Sequence, residues 1–238
     1  MKRLLVTLVV LAGLLAVADR VAATVASNAV ADQVQASASL ASADVSIGGF
    51  PFLTQALGGR YDSVSVVARG VAAGDLTVDR LDATLTGVEV PLSDVLSGSV
   101  SEVPVASVRA TALVGYDELA RRSGDRRLTV APSGDRVRVT GSVTVLGQTL
   151  TASALSSVRV EGGALVVTAE SYSVGDAAAS SAISQALGGR FDLRIPVTGL
   201  PYGLQVSGVS VTAEGVAVTA AAGATVLSPG RTSAPAGE

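Results

Sequence analysis

The side chains able to do chemistry in this sequence are few, and their spacing narrows them further. Carboxylates fall in pairs at Asp79/Asp82 and Asp117/Glu118. Neither pair sits in an Asp-rich loop with calcium spacing. Ser and Thr are abundant, but the chain has no His, no Cys and no Trp, and its one Lys is Lys2. A hydroxyl nucleophile therefore lacks its usual bases. Thiol catalysis, Ser-His-Asp triads, disulfides and nearly every zinc site are excluded. Glycoside chemistry needs two carboxylates flanking one bond. No such pair facing across a cleft is expected, and three Phe and four Tyr supply few platforms on which a sugar could stack. The Gly-Gly stretches are turns rather than a phosphate loop. No enzyme is expected: no catalytic residue, metal ligand or cofactor is assigned.

The remaining polar candidates are two arginines in a repeat. Gln55–Asp62 (QALGGRYD) returns as Gln185–Asp192 (QALGGRFD), with seven of eight positions identical at an offset of 130 residues. Further on, Leu81–Leu92 resembles Val209–Ala220 at an offset of 128. Two readings of QALGGR stay open. One is a short helix stopped by a double-glycine cap, with the Arg beside its last carbonyls. The other has Arg60 and Arg190 presenting guanidinium groups to an anionic headgroup. The aromatics gather at Phe50, Phe52, Tyr61, Phe191 and Tyr202, flanked by Gly and Pro. They are either core plugs at strand–helix corners or the mouth and wall of an apolar pocket. Leu53, Leu57, Leu187, Leu200 and Leu204 are the aliphatic candidates for the same wall.

The elements that must position these residues are helical first and β afterwards. Lys2 and Arg3 precede an apolar run from Leu4 to Ala18. At about 15 residues the run is short for a membrane span of about 20. It fits a signal peptide, with Ala16-Val17-Ala18 as a cleavage site, or an uncleaved signal anchor. From Asp19 to about Gln35 the pattern is helical, with Val21, Val25, Val30 and Val34 as its apolar stripe. Strands follow: Val45/Ile47, Val64/Val66, and Leu76/Val78 with a phase change at Arg80-Leu81. Val137–Val145 alternates most cleanly, with Arg136 and Arg138 on its polar face. Glu161-Gly162-Gly163 and Glu214-Gly215 each mark a hairpin. Tyr116–Arg122 and Asp176–Leu187 read as helices, Ser97–Pro104 as a loop, and the chain from Ser228 as a disordered tail.

Composition completes the picture. Of 238 residues, 48% are apolar and 16% charged, and the apolar share is mostly Val, Ala and Leu. The net charge of −3 becomes −5 once Lys2 and Arg3 are set aside. An acidic body without basic clusters argues against nucleic acid. Alternating strands that close around a helix and leave a slot would line it with Val, Leu and Ala. Such a slot suits acyl chains, each buried CH₂ contributing roughly 0.8 kcal/mol without special geometry.

An N-terminal helix bearing Asp19-Arg20, the segment Gly49-Phe50-Pro51-Phe52-Leu53-Thr54-Gln55, then Gly59-Arg60, a β-rich body and Leu200-Pro201-Tyr202-Gly203-Leu204 together resemble the LmeA-like family of actinobacterial cell-envelope proteins. The likeness covers roughly residues 10–227, and GFPFLTQ…GR is its most specific part. It implies phospholipid binding and a tubular lipid-binding fold, in which a curved antiparallel sheet wraps a long helix and encloses an apolar tunnel. It supplies no catalytic residue.

The expectation is thus an exported α+β protein of the cell envelope: residues 1–18 a signal peptide or anchor, 19–227 the domain, 228–238 the tail. It binds phospholipid or a lipid-linked glycan at a membrane surface; protein partners are unassigned. The alternative is a structural or interaction module with a filled core and no ligand.

Overall fold

The computed structural model describes residues 2–38, 40–73, 76–97, 99–122, 128–145, 148–175, 177–179, 185, 192–196 and 200–228. An uninterrupted Ala/Val/Leu-rich stretch, without Gly between Gly13 and Gly48 and without Pro before Pro51, forms one helix, α1 (Lys2–Ala38). It joins the leader-like run to the helix read from Asp19 onward. The Val stripe is a correction. Val21, Val25 and Val30 are exposed, whereas Asp19, Ala23 and Ser27, one helical turn apart, are buried against the body. Small side chains allow α1 to approach closely, and the Ser27 hydroxyl accepts the Ile47 N–H at 3.2 Å.

After α1 come β1 (Ser42–Gly48), α2 (Phe52–Gly58), β2 (Arg60–Ala73), β3 (Leu76–Glu89), α3 (Leu92–Ser97), β4 (Val103–Val105), β5 (Ser107–Gly115) and α4 (Tyr116–Arg122). Then follow β6 (Thr129–Ser133), β7 (Arg136–Val145), β8 (Gln148–Glu161), β9 (Ala164–Val174), β10 (Ala177–Ala178) and β11 (Leu193–Pro196). A 3₁₀ turn at Pro201–Gly203 leads to β12 (Gln205–Val211), β13 (Gly215–Ala222) and β14 (Thr225–Leu227). The loop read at Ser97–Pro104 is thus shortened from both ends, by α3 and β4. The helix read from Asp176 is corrected at its start, where Ala177 and Ala178 pair with β9. Ala179 continues that pairing, its N–H donating to the Tyr172 carbonyl at 2.9 Å, and the rest of the reading, apart from a helical Gln185, lies outside the described residues, as does the tail beyond Ser228.

The protein is α+β, and its sheets are antiparallel. The first runs β1-β2-β3-β5-β13-β12; the second runs β10-β9-β8-β7-β6, with β11 also on β9; β14 pairs with β4. Turn chemistry sets the hairpins. Gly162 and Gly163 both have positive φ, 56° and 70°, and join β8 to β9 in a two-residue loop. Thr212 closes the β12–β13 turn by donating its hydroxyl to the Gly215 carbonyl at 2.9 Å. The Leu81–Leu92 and Val209–Ala220 stretches do not share a conformation, because the first continues straight along β3 while the second folds back as this hairpin.

The two sheets share an aliphatic core. Val137 and Val139 of β7, Ala152 and Ala154 of β8, Leu165 and Val167 of β9, and Leu119 of α4 pack with Val114 of β5 and Val216 of β13. Val139 is 0% exposed. The clean alternation read for β7 therefore points its Val137/Val139 side inward and leaves Arg138 outside. A second cluster closes the opposite end of the first sheet. Phe52 and Ala56 of α2 meet Tyr61, Val88, Val90, Val105, Val108 and Ala23 of α1 there.

Candidate functional site

The first sheet has two chemically different faces. In antiparallel pairs, directly opposed residues share a face. One row runs Val45–Val66–Ala83–Ala110–Ala220 across five strands, and a neighbouring row runs Ala43–Ala68–Leu81–Ala112–Val218. A third runs Ile47–Val64–Leu85–Val108–Ala222. Every residue in these rows is apolar. The reverse face carries Asp44, Ser65, Asp82, Thr84, Arg109 and Thr111. Arg80 pairs with Asp82 at 2.7 Å on that side, and the Thr86 and Ser107 hydroxyls meet at 2.7 Å.

The apolar face is covered at its two ends and less so between. Val64 and Leu85 pack against the α2-end cluster, and Val218 against the inter-sheet cluster. Val66, Leu81, Ala83, Ala110 and Ala112 belong to neither cluster and are half-buried. Three of these five are alanines, so this part of the face bears smaller side chains than its Val- and Leu-bearing ends, while Val45, Ala68 and Ala220 of the same rows are buried. The pairing of β3 runs on unshifted through Arg80-Leu81, so the phase change read there is a change of apolar pattern: Val78 is buried before it, and Leu81, Ala83 and Leu85 lie on this face after it. The strands β1, β2, β3 and β13 were visible in the sequence, but β5, which supplies Ala110 and Ala112, was not read there, nor was the order in which the strands lie.

The GFPFLTQALGGR segment forms a corner at one end of this sheet. α2 has no side-chain cap of its own at Pro51. Its free N-terminal donors are served from 34 residues away: Asp19, 2% exposed on α1, accepts the Leu53 N–H at 2.8 Å. Burial pushes the Asp19 carboxyl up, but the Leu53 and Phe52 N–H groups and the adjacent Arg20 outweigh it and leave the group below its usual value. Arg20 donates to the Gly49 carbonyl at 2.8 Å and holds its guanidinium 5.1 Å from the Phe50 ring centroid. At the other end of α2, Gly59 adopts φ 64° and its N–H returns to the Ala56 and Gln55 carbonyls. The helix with a glycine cap read from QALGG is what forms.

The sequence candidates divide by position. Phe52 and Tyr61 are buried together, rings 6.3 Å apart, in the α2-end cluster. Leu204 is half-buried against that cluster. Leu200 and Tyr202 are half-buried, and the Tyr202 hydroxyl donates to the Ser228 carbonyl at 3.4 Å. Phe50, Leu53 and Leu57 stand exposed. Arg60 is exposed and engaged: its Nε and Nη2 both donate to Glu89, its cross-strand partner, at 2.9 and 2.6 Å. Leu187, Arg190 and Phe191 lie outside the described residues.

Arg60 and Glu89 border an open cleft of about 710 Å³, with Leu57, Pro91, Asp94 and Glu102 among its walls. Three carboxylates thus come to one cleft, which the sequence reading did not anticipate. Glu89 is neutralised by Arg60, and Asp94 accepts the Ser93 hydroxyl at 3.0 Å. The cleft is broad and largely polar, so its walls suit polar groups rather than acyl chains.

A family model described as LmeA-like phospholipid-binding matches residues 17–221. The chain belongs to the LmeA-like family. That family is a lipid-binding one, and lipid is accordingly the partner class that its membership indicates. The match begins at Val17, just before the Asp19–Arg20 joint, and takes in both sheets. No curated protein and no solved structure matches the chain significantly. α1 is also long and apolar enough to cross a membrane over Val10–Ala36, which is compatible with a signal peptide or a membrane anchor.

Proposed function

We propose that this member of the LmeA-like family is an exported, non-enzymatic protein of the cell envelope that holds phospholipid acyl chains on the apolar face of its first sheet. The observation that carries the reading is the Val66–Ala83–Ala110 and Leu81–Ala112 patch, apolar throughout, half-buried and part of neither core cluster. An acyl chain lying there completes the burial that α1 and the second sheet begin from either side. Each methylene removed from water contributes about 0.8 kcal/mol. Orientation is undemanding, so an all-aliphatic lining without reactive groups is sufficient. In this reading the first sheet curves around α1 and the ligand together, as in a tubular lipid-binding fold.

The α2 corner supplies the proposed polar contact. Arg60 faces the 710 Å³ cleft, and an anionic headgroup there would displace the Glu89 Oε1 that accepts both of its hydrogen bonds. The same cleft has room and hydroxyls for a glycosylated headgroup, so a lipid-linked glycan and a supporting part in lipoglycan assembly fit the proposal.

Native mass spectrometry of protein purified from a lipid-containing host, with organic extraction of the same sample, tests the reading. Phospholipid mass on the folded protein is expected; protein that is lipid-free by both methods overturns it. A ligand-free structural module is the second reading, favoured by the tight filling of the inter-sheet core, where Val139 and Val216 are fully buried.

A further inference from the structure

Asp19 marks the point where α1 changes character. Beyond it toward the N-terminus, Val10, Leu11, Leu14, Leu15 and Val17 are all exposed, Leu14 to 63%. At that same level three large apolar side chains from another segment stand in water: Phe50, Leu53 and Leu57, the last 79% exposed. They are not there by slackness. Leu53 is tied to Asp19 through its N–H, and Phe50 lies under the Arg20 guanidinium, which also holds the Gly49 carbonyl and the Asp19 carboxylate. Nor does the fold need them, since Phe52 and Ala56 already supply the buried side of α2. Leu53 and Leu57, four residues apart, share its outer side.

The run Leu4–Ala18 rises roughly 22 Å as a helix, most of a hydrocarbon layer of about 30 Å. Lys2 and Arg3 stand at one end and Asp19-Arg20 at the other. A helix held in a bilayer over this run places Arg20, and with it Phe50, at the outer interface, where a snorkelling guanidinium and an aromatic ring are both favoured. We infer that Phe50, Leu53 and Leu57 form a membrane-docking corner, entering the interfacial layer of the bilayer that holds α1 and fixing the folded body against it. The inference rests on the membrane-held reading of α1 and is independent of where an acyl chain binds. Two features favour a bilayer as the occupant. The exposed apolar residues of α1 lead up to the corner as Leu14, Leu15 and Val17. A patch of three side chains is also far below the roughly 20–30 residues a side of a stable protein interface.

The chain has no Cys, so single-cysteine labelling is clean. Full-length Leu53→Cys and Leu57→Cys variants would carry the environment-sensitive fluorophore NBD, with Thr84→Cys and Arg109→Cys on the polar sheet face as controls. All four would be reconstituted in phosphatidylcholine/phosphatidylglycerol nanodiscs. We expect blue-shifted emission at 53 and 57, quenched severalfold more by a nitroxide near the lipid headgroup than by one at the chain end, and neither effect at 84 or 109. Emission at 53 and 57 matching that at 84 overturns the inference. So does a blue shift that persists in lipid-free amphipathic polymer and grows with protein concentration, which assigns the patch to a second copy. Native mass spectra of the same samples separate the two claims. Bound lipid with water-exposed labels sinks the corner alone; lipid-free protein with membrane-buried labels sinks the lipid-binding reading and leaves the corner standing.

Discussion

Enlarging the small side chains of the first sheet's apolar face should remove lipid without unfolding the protein. Ala83 is the place to do it, because it is directly opposed by Val66 on one side and Ala110 on the other. Strands lie about 4.8 Å apart, so the Val66-to-Ala110 span is roughly 10 Å with only a methyl group at its centre. Ala83→Leu adds three carbon atoms there. They occupy the volume of about three ligand methylenes, each contributing about 0.8 kcal/mol when buried, or about 2.4 kcal/mol in all. At 1.4 kcal/mol per tenfold, affinity falls on the order of 50-fold. Adding Ala110→Leu deepens the loss. The fold should be spared because Ala83 and Ala110 are half-buried and belong to neither packed cluster, so the added side chains do not have to displace those cores. The assay is lipid recovered per mole of protein, by extraction and native mass spectrometry, beside thermal unfolding followed by circular dichroism. Undiminished lipid in a folded double variant refutes the placement of acyl chains on this face.

Three other outcomes follow from the packing. Val139→Ala, in the fully buried inter-sheet core, should lower stability by about 2 kcal/mol in denaturant titration while leaving lipid loading per folded molecule unchanged. Gly87→Ala should destabilise by about 1–3 kcal/mol, read as a lower denaturation midpoint: its φ is 58° and an added Cβ would stand 2.8 Å from that of Ala106. Asp19 should give the α1–α2 joint a pH dependence. Its carboxyl is held below the usual 3.8, so its contribution is present above that value and lost as pH falls through the lower folded value. Hydrogen exchange at the Leu53 amide should accelerate across that acid range, and Asp19→Asn should abolish the step.

Much of the local structure was legible in the residues. The Asp19–Gln35 helix, the β7 alternation, the Gly162-Gly163 hairpin and the phase change at Arg80-Leu81 each depend on signals a few residues long. Turn residues and side-chain period act locally, and tertiary contacts reinforce them here. Where tertiary contacts compete, the local signal lost. The valines of α1 define a helical stripe, yet the helix packs through Asp19, Ala23 and Ser27, because small residues permit close approach and Asp19 can serve the unsatisfied donors of α2. Ala177-Ala178 read as helix but pair with β9.

By itself, the sequence determined which chemistries lack their residues and what the surfaces are made of. Without His or Cys, thiol catalysis and Ser-His-Asp triads have no members here, and the GFPFLTQ…GR segment pointed to a phospholipid-binding family. The tertiary structure alone decided where those surfaces are. Val66, Ala83 and Ala110 are separated by 17 and 27 positions in the chain, and only the strand order β2-β3-β5 makes them neighbours on one face. Neither role open to Arg60 in the sequence, beside the last helix carbonyls or toward a headgroup, foretold that the β2–β3 register would place Glu89 opposite it. Register and sheet order are set by the sum of many long-range pairings, and no short window of sequence contains that sum.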